Sequence, residues 1–277
     1  MEYLRLLRPY SWIKNFLVFI PLFFAKQFFS DGKIKIVLLS FILFCLAASC
    51  VYIINDLADA QQDRLHPKKQ HRPIASGSVS PLHAKVLLLA LAIATSIVLS
   101  YFPLTVILLI GAYLVLNVLY SFYLKHVAML DIVLIAGFYL LRILVGGLAA
   151  QVPISNWLIL CTIFLALFLI TGKRKSEMTQ GVKRAVLDLY SQEILNAILI
   201  ASVTLVIISY SLYTVLVLGD TLAVYSIFFV LLAILRYVLL IYSTDKVEYP
   251  EKALFTDWWI VFAAIAWLGC MYAILYR

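Results

Sequence analysis

The chain has 277 residues, 65% of them hydrophobic and 13% charged, with a mean hydropathy of +1.03. That composition excludes a soluble domain. In a soluble protein a net charge of +8 would point to nucleic acid; here it reads as basic loops facing anionic lipid and the cytoplasm, and no nucleic-acid partner is expected.

A bilayer core takes about 20 apolar residues per helix. Apolar runs near 13–30, 34–55, 83–102, 104–122, 128–150, 155–172, 192–218, 221–243 and 255–275 therefore predict nine transmembrane helices. The expected fold is an all-α, polytopic membrane protein: one catalytic domain over 1–277, a helical bundle around a central cavity. Its polar loops fall at 56–82, 173–191 and 244–254. Cys45, Cys50, Cys161 and Cys270 lie inside apolar runs without metal-ligand spacing and read as small buried hydrophobes. Lys14 and Lys26 within the first run argue against a cleavable leader. With the N-terminus inside, sixteen of the 22 bases fall on inner segments, among them Arg5, Arg8, Lys14, Lys68, Arg72, Lys125, Lys173 and Arg184. Only Lys26, Lys33, Lys35 and Arg277 fall outside. That bias places every polar loop in the cytoplasm, with the protein in the plasma (inner) membrane.

The most informative stretch follows the second run. Asn55, Asp56, Asp59 and Asp63 precede His66, Lys68, Lys69, His71 and Arg72 within a few residues. Spacings of three and four place the three carboxylates on one face if the segment is helical. Crowded carboxylates repel unless a cation lies between them, and oxygen donors of this kind suit Mg²⁺. The expected metal set is Asn55, Asp56, Asp59 and Asp63, with the three aspartates carrying catalysis. Lys68 and Arg72 are expected to neutralise phosphate oxygens, the arginine as a fork and the lysine as a point charge. The competing reading is a solvated loop with helix-capping aspartates.

Three further groups extend the candidate site. Lys125 precedes Asp131, a carboxylate at the start of a span, where burial is expensive unless it is paired or wet. Arg142 shares a helical face with Asp131 but lies about 16 Å along the axis, too far to pair. It faces either a bundle interior or an ion pair on another helix. After the sixth run come Lys173, Arg174 and Glu177, with Arg184 beyond, either a substrate-binding group or an ordinary basic loop. Lys14, beside Trp12, joins an amphipathic entry segment to the charged set. The polar junctions follow even-numbered runs, so the loops are expected to converge on one face.

Nine spans with Asn55-Asp56-x-x-Asp59-x-x-x-Asp63 after the second resemble the UbiA-type intramembrane prenyltransferase superfamily. Members usually carry a second acidic pair after the sixth helix; this chain has Lys173-Arg174-Lys175-Ser176-Glu177 instead. Arg8-Pro9-Tyr10-Ser11-Trp12-Ile13-Lys14-Asn15, the block Asp63–Gly77, Leu130-Asp131 with Arg142, and Arg236-Tyr237 are similar to the decaprenyl-phosphate phosphoribosyltransferase subgroup. The resemblance implies Mg²⁺-dependent transfer of phosphoribosyl from phosphoribosyl diphosphate to polyprenyl phosphate. Lys125, Arg142, Lys173 or Arg174 would bind either the acceptor phosphate or the donor 5-phosphate. Ordinary prenyl transfer to an aromatic or lipid acceptor is the alternative enzyme reading. A transporter is the reading from another class.

Overall fold

The computed structural model describes residues 2–65, 69–182, 184–243 and 256–277. Every regular element among them is helical, as the apolar runs predict. Two compact units divide the chain: Met1–Tyr123 with Leu141–Pro153, and Leu124–Leu140 with Ile154–Arg277.

The first unit holds α1 (Glu2–Leu7), a 3₁₀ segment (Pro9–Phe19), α2 (Ile20–Phe24), α3 (Asp31–Ala58), α4 (Ala60–Arg64), α5 (Pro81–Leu99) and α6 (Leu104–Phe122). The second half of α7 (Leu130–Ala149) completes it. Helix α3 is its spine, and the small buried residues Ala47, Ala48, Ser49 and Cys50 let neighbours approach closely. The 3₁₀ segment runs antiparallel along α3. Arg8 pairs with Asp56, the Trp12 indole N–H donates to Ser49 Oγ at 3.2 Å, and Asn15 lies against Cys45. Phe19 meets Phe41 with ring centroids 6.0 Å apart. Eleven steps of 3₁₀ helix and fifteen of α-helix both cover roughly 22 Å, so the two strands of this ladder keep register. Gly146 of α7 makes that packing possible. A Cβ built on it would lie 2.0 Å from the Val18 carbonyl oxygen.

This segment corrects the span count. Eight helices among the described residues are long and apolar enough to cross a membrane, not nine. The run at 13–30 is no single α-helix. Pro9 opens a 3₁₀ segment, Pro21 lies within a five-residue helix, and Lys26 adopts a left-handed φ of 58° that ends it.

The second unit holds the first half of α7, then α8 (Asn156–Thr179), α9 (Gln192–Tyr213, continued by a π turn to Leu218), α10 (Thr221–Tyr225), α11 (Ile227–Ser243) and α12 (Trp258–Leu275). Ser155, Ser191, Asp220 and Asp257 cap α8, α9, α10 and α12 by accepting backbone N–H groups. One apolar cluster joins Phe168, Leu199, Val206, Ile234, Tyr237 and Ile260. Another joins Ile132, Ala136, Ile170, Val186, Tyr190 and Leu195, and sets where the start of α7 meets the end of α8.

Two expected loops are shorter than predicted. Residues 56–58 belong to α3 and 81–82 to α5. Residues 173–179 form the last turns of α8, because Lys, Arg, Glu and Met are good helix formers and ion pairs at i, i+3 and i, i+4 reinforce them. The helix closes on Gly181, φ +65°, with Gly181 N–H on Met178 O and Val182 N–H on Glu177 O. Both bonds of a Schellman cap are thus made. The third expected loop, 244–254, lies outside the described residues.

Candidate functional site

The first polar centre is built where α3 ends. Asp56 and Asp63 are 2% exposed, and Arg72 Nη1 donates to both, at 3.1 Å and 2.7 Å. Arg8 also donates to the Asp56 oxygen that Arg72 uses, and its guanidinium lies 5.0 Å from the Tyr52 ring centroid. Lys69 Nζ stands 3.9 Å from Asp63. Burying an ion costs several kcal/mol unless it is paired, so two enclosed carboxylates require this cationic partnership. The backbone holds Arg72 in place. Pro73, Ile74 and Ala75 are buried, Ile74 packs with Leu6, Ile53, Val79 and Ala84, and the Ala75 carbonyl accepts from Arg64 Nε at 3.2 Å.

The three carboxylates do not share one helical face. Helix α3 stops at Ala58, and Asp59 (φ −91°, ψ 2°) turns the chain into α4. Its N–H donates to Asn55 O, and its own carbonyl accepts from Asp63 N–H. The turn carries Asp63 back toward Asp56 and leaves Asp59 and Asn55, both half-buried, at the bend. Among the described residues no three His, Cys, Asp or Glu side chains cluster closely enough to hold a metal, and the two carboxylates brought together here are Asp56 and Asp63. Asp56 and Asp63 do fit a hard cation. Both are buried oxygen donors, and one nitrogen already touches an oxygen of each. Lys68 lies outside the described residues.

The second polar centre lies in the second unit, at the end of α8. Asp131, fully buried, accepts from Arg174 Nε at 2.8 Å. Arg174 Nη1 donates to Glu177 Oε2 at 2.7 Å. Lys173 and Arg184 flank Glu177 at 3.9 and 3.8 Å. Three cations thus surround two carboxylates, and the outer two, Lys173 and Arg184, are about 30% exposed while the inner three residues are enclosed. Tyr190 completes the group by donating to Asp131 at 2.5 Å while accepting Met129 N–H at 2.7 Å. Burial, and then the bond to Asp131, push its phenol pKa up, so it stays a protonated donor. Lys125, in a short 3₁₀ turn at 124–126, is half-buried.

Arg142 belongs to neither centre. It is 5% exposed in the first unit, donating to Asn15 Oδ1 at 2.8 Å and to the Tyr113 hydroxyl at 3.5 Å, with the Phe44 and Tyr113 rings about its guanidinium. Lys14, half-buried, precedes Asn15 on the same 3₁₀ segment. Sequence reasoning passed over two participants. Arg8 opens the Arg8–Asn15 stretch and is one of the inner bases, but nothing in its position along the chain pairs it with Asp56. Nothing in the spacing marks Tyr190.

The UbiA prenyltransferase family description matches residues 16–261. The chain is 34% identical to the decaprenyl-phosphate phosphoribosyltransferase of Corynebacterium glutamicum over 293 aligned residues, covering 99% of this chain and 86% of that protein. It is likewise 34% identical to the enzyme of that name from Mycolicibacterium smegmatis, over 76% of this chain and 69% of the relative. Among solved structures, a UbiA homologue from Archaeoglobus fulgidus bound to DMAPP and Mg²⁺ superposes with a TM-score of 0.72, at 18% identity, over all of this chain and 99% of the other. The helices and the match together make this an integral membrane protein. It belongs to the UbiA prenyltransferase family.

Proposed function

We propose that the protein transfers a 5-phosphoribosyl group from phosphoribosyl diphosphate to a polyprenyl phosphate of decaprenyl type and releases diphosphate. The names of its relatives support this reading. The observation that carries it is the second centre: the end of α8 gathers Lys173, Arg174 and Arg184 around two carboxylates that guanidinium groups already engage. Arg174 bridges the two carboxylates from within, while Lys173 and Arg184 are partly exposed at the rim, an arrangement that suits a phosphate anion. A donor that carries a 5-phosphate besides its diphosphate also accords with Lys173-Arg174 standing where family members usually carry a second acidic pair.

Asp56 and Asp63, with Asn55 and Asp59 at the adjoining bend, would hold Mg²⁺, which when bound would supply positive charge to a departing diphosphate. Arg72 and Lys68 take up diphosphate oxygens, and Arg8, on the same Asp56 oxygen as Arg72, joins them. As the bond from ribose C1 to the diphosphate oxygen breaks, C1 becomes oxocarbenium-like. The acceptor phosphate is already an anion, so its oxygen attacks C1 from the opposite face without a strong general base, and the anomeric centre inverts. Lys125, Lys173, Arg174 and Arg184 serve the 5-phosphate of the donor and the phosphate of the acceptor, Glu177 orienting three of them. Arg142, enclosed by Asn15, Tyr113 and Phe44, supports the Lys14 segment instead. The polar junctions face the cytoplasm across the plasma membrane, which the excess of bases on them supports, and the polyprenyl tail lies among the spanning helices.

Purified protein in detergent, given Mg²⁺, labelled phosphoribosyl diphosphate and polyprenyl phosphate, is expected to yield a labelled, acid-labile lipid. Product from prenyl diphosphate and an aromatic acid instead would favour ordinary prenyl transfer, the reading that family membership alone leaves open.

A further inference from the structure

The hydroxyl of Tyr190 sits at the buried end of the chain of contacts that runs through Asp131, Arg174 and Glu177 to Arg184. The ring is 5% exposed and packed with Ile132, Val186 and Leu195, so it has one placement. Its oxygen both accepts and donates: it receives Met129 N–H and gives its proton to Asp131 Oδ1. Met129 pays for that contact with a left-handed φ of 65°, a conformation that residues with side chains rarely hold without compensation. The phenol engages Oδ1 of Asp131, and Arg174 meets Oδ2 through Nε. That leaves the Nη1 edge of the guanidinium for Glu177. Tyr190 also ends the short 3₁₀ turn Ala185–Leu189, which begins beside Arg184 and buries Val186 and Leu187. One hydroxyl therefore anchors the carboxylate that engages Arg174, and its residue closes the segment that begins at Arg184.

We propose that Tyr190 is a positioning residue for phosphate recognition. It acts through Asp131 to aim Arg174, and through the 184–190 segment to hold Arg184 beside Glu177. The inference rests on the reading that these cations bind a phosphate-bearing substrate. Neither the spacing of the sequence nor any assigned role points to Tyr190.

Tyr190→Phe keeps the ring in its apolar cluster and removes only the hydroxyl. The expected result is an increase of about tenfold in KM for phosphoribosyl diphosphate with kcat within about threefold, the pattern of lost binding without lost chemistry. In an Asp131→Asn background the same substitution adds less than about twofold, because its route is already cut. Unchanged KM in Tyr190→Phe overturns the proposal, whether or not the melting temperature falls, because that outcome is purely structural. Full additivity with Asp131→Asn also overturns it. A measurement on the wild-type protein covers the case in which a variant does not fold. Hydrogen exchange of the 184–190 amides is expected to slow when phosphoribosyl diphosphate is added; unaltered exchange counts against the inference. If the wild-type protein makes no phosphoribosyl lipid, the proposed function fails, and Tyr190 is then judged by calorimetric binding of phosphoribosyl diphosphate alone. Weaker binding by Tyr190→Phe upholds its role, equal affinity refutes it, and no binding by either protein refutes both readings.

Discussion

Asp56 and Asp63 share a single nitrogen of Arg72, whereas Asp59 sits on the bend between α3 and α4. The three aspartates should therefore differ in consequence. Asp56→Asn and Asp63→Asn are expected to lower kcat/KM by at least roughly 100-fold, the scale of losing a group that stabilises transition-state charge. Asp59→Asn is expected to cost about tenfold, as for an outer-shell contact. Steady-state kinetics on all three checks the order, and an equal loss at Asp59 would restore the one-face arrangement. Arg72→Gln has a different signature. It leaves two enclosed carboxylates with less compensation, at about 2 kcal/mol of stability after allowing for the partial exposure of the arginine. Millimolar Mg²⁺ should raise the melting temperature of Arg72→Gln more than that of the wild type, because the metal replaces the missing charge; equal shifts would dissociate Mg²⁺ from this centre. At this scale the sequence was legible wherever residue type alone carried the chemistry. Acids followed by bases identified the first centre. The bend at Asp59 was hidden because it depends on backbone angles, which a spacing of three and four residues does not contain.

Single helices depend on glycines to different degrees. Gly146→Ala drives a Cβ into the Val18 carbonyl, backbone against backbone, and is expected to cost at least roughly 2 kcal/mol and to weaken the docking of the 3₁₀ segment. Gly172→Ala meets the Ile241 Cδ1 and Tyr237 ring atoms, which can yield, so its cost should be smaller. Gly111→Ala meets nothing within 4 Å and should be neutral or stabilising by up to about 1 kcal/mol. Thermal unfolding in detergent ranks the three, and a harmless Gly146→Ala would contradict the close approach. The start of α12 supplies a pH prediction. Two nitrogens of Arg236 grip Asp257, chiefly by hydrogen bonding, and hold its carboxyl below the usual 3.8. A depressed folded-state pKa gives stability that is present above the unfolded value and lost as pH falls through the folded one. The stability gap between wild type and Asp257→Asn should thus be constant near neutrality and close only below about pH 4. A gap that closed at pH 6 would exclude the pair as its source. Element ends were harder to foresee than their existence. The last turns of α8 read as a loop because they are charged, yet ion pairs within the helix and to Asp131 make charge compatible with a buried helix end.

At the level of the whole molecule, apolar length and loop charge fixed the class, and eight of the nine expected spans are helices long enough to cross a membrane. The exception is instructive. A 3₁₀ segment rises about 2 Å per residue, so a run of residues counted at the α-helical rise misjudges its form. The order of polar and apolar segments is enough to find a membrane bundle of this family; the pairing of charges within it needs coordinates. The account's central claim is the identity of the donor: phosphoribosyl diphosphate, with Asp56 and Asp63 proposed for a metal-bound diphosphate and Lys173, Arg174 and Arg184 for a further phosphate. The most direct measurement offers one preparation of the wild-type protein, with Mg²⁺ throughout, two donors in parallel: phosphoribosyl diphosphate with polyprenyl phosphate, and polyprenyl diphosphate with an aromatic acid. The account predicts a phosphoribosylated lipid from the first pair, abolished by chelating the metal, and no product from the second. Prenylated acid without phosphoribosyl lipid would contradict it.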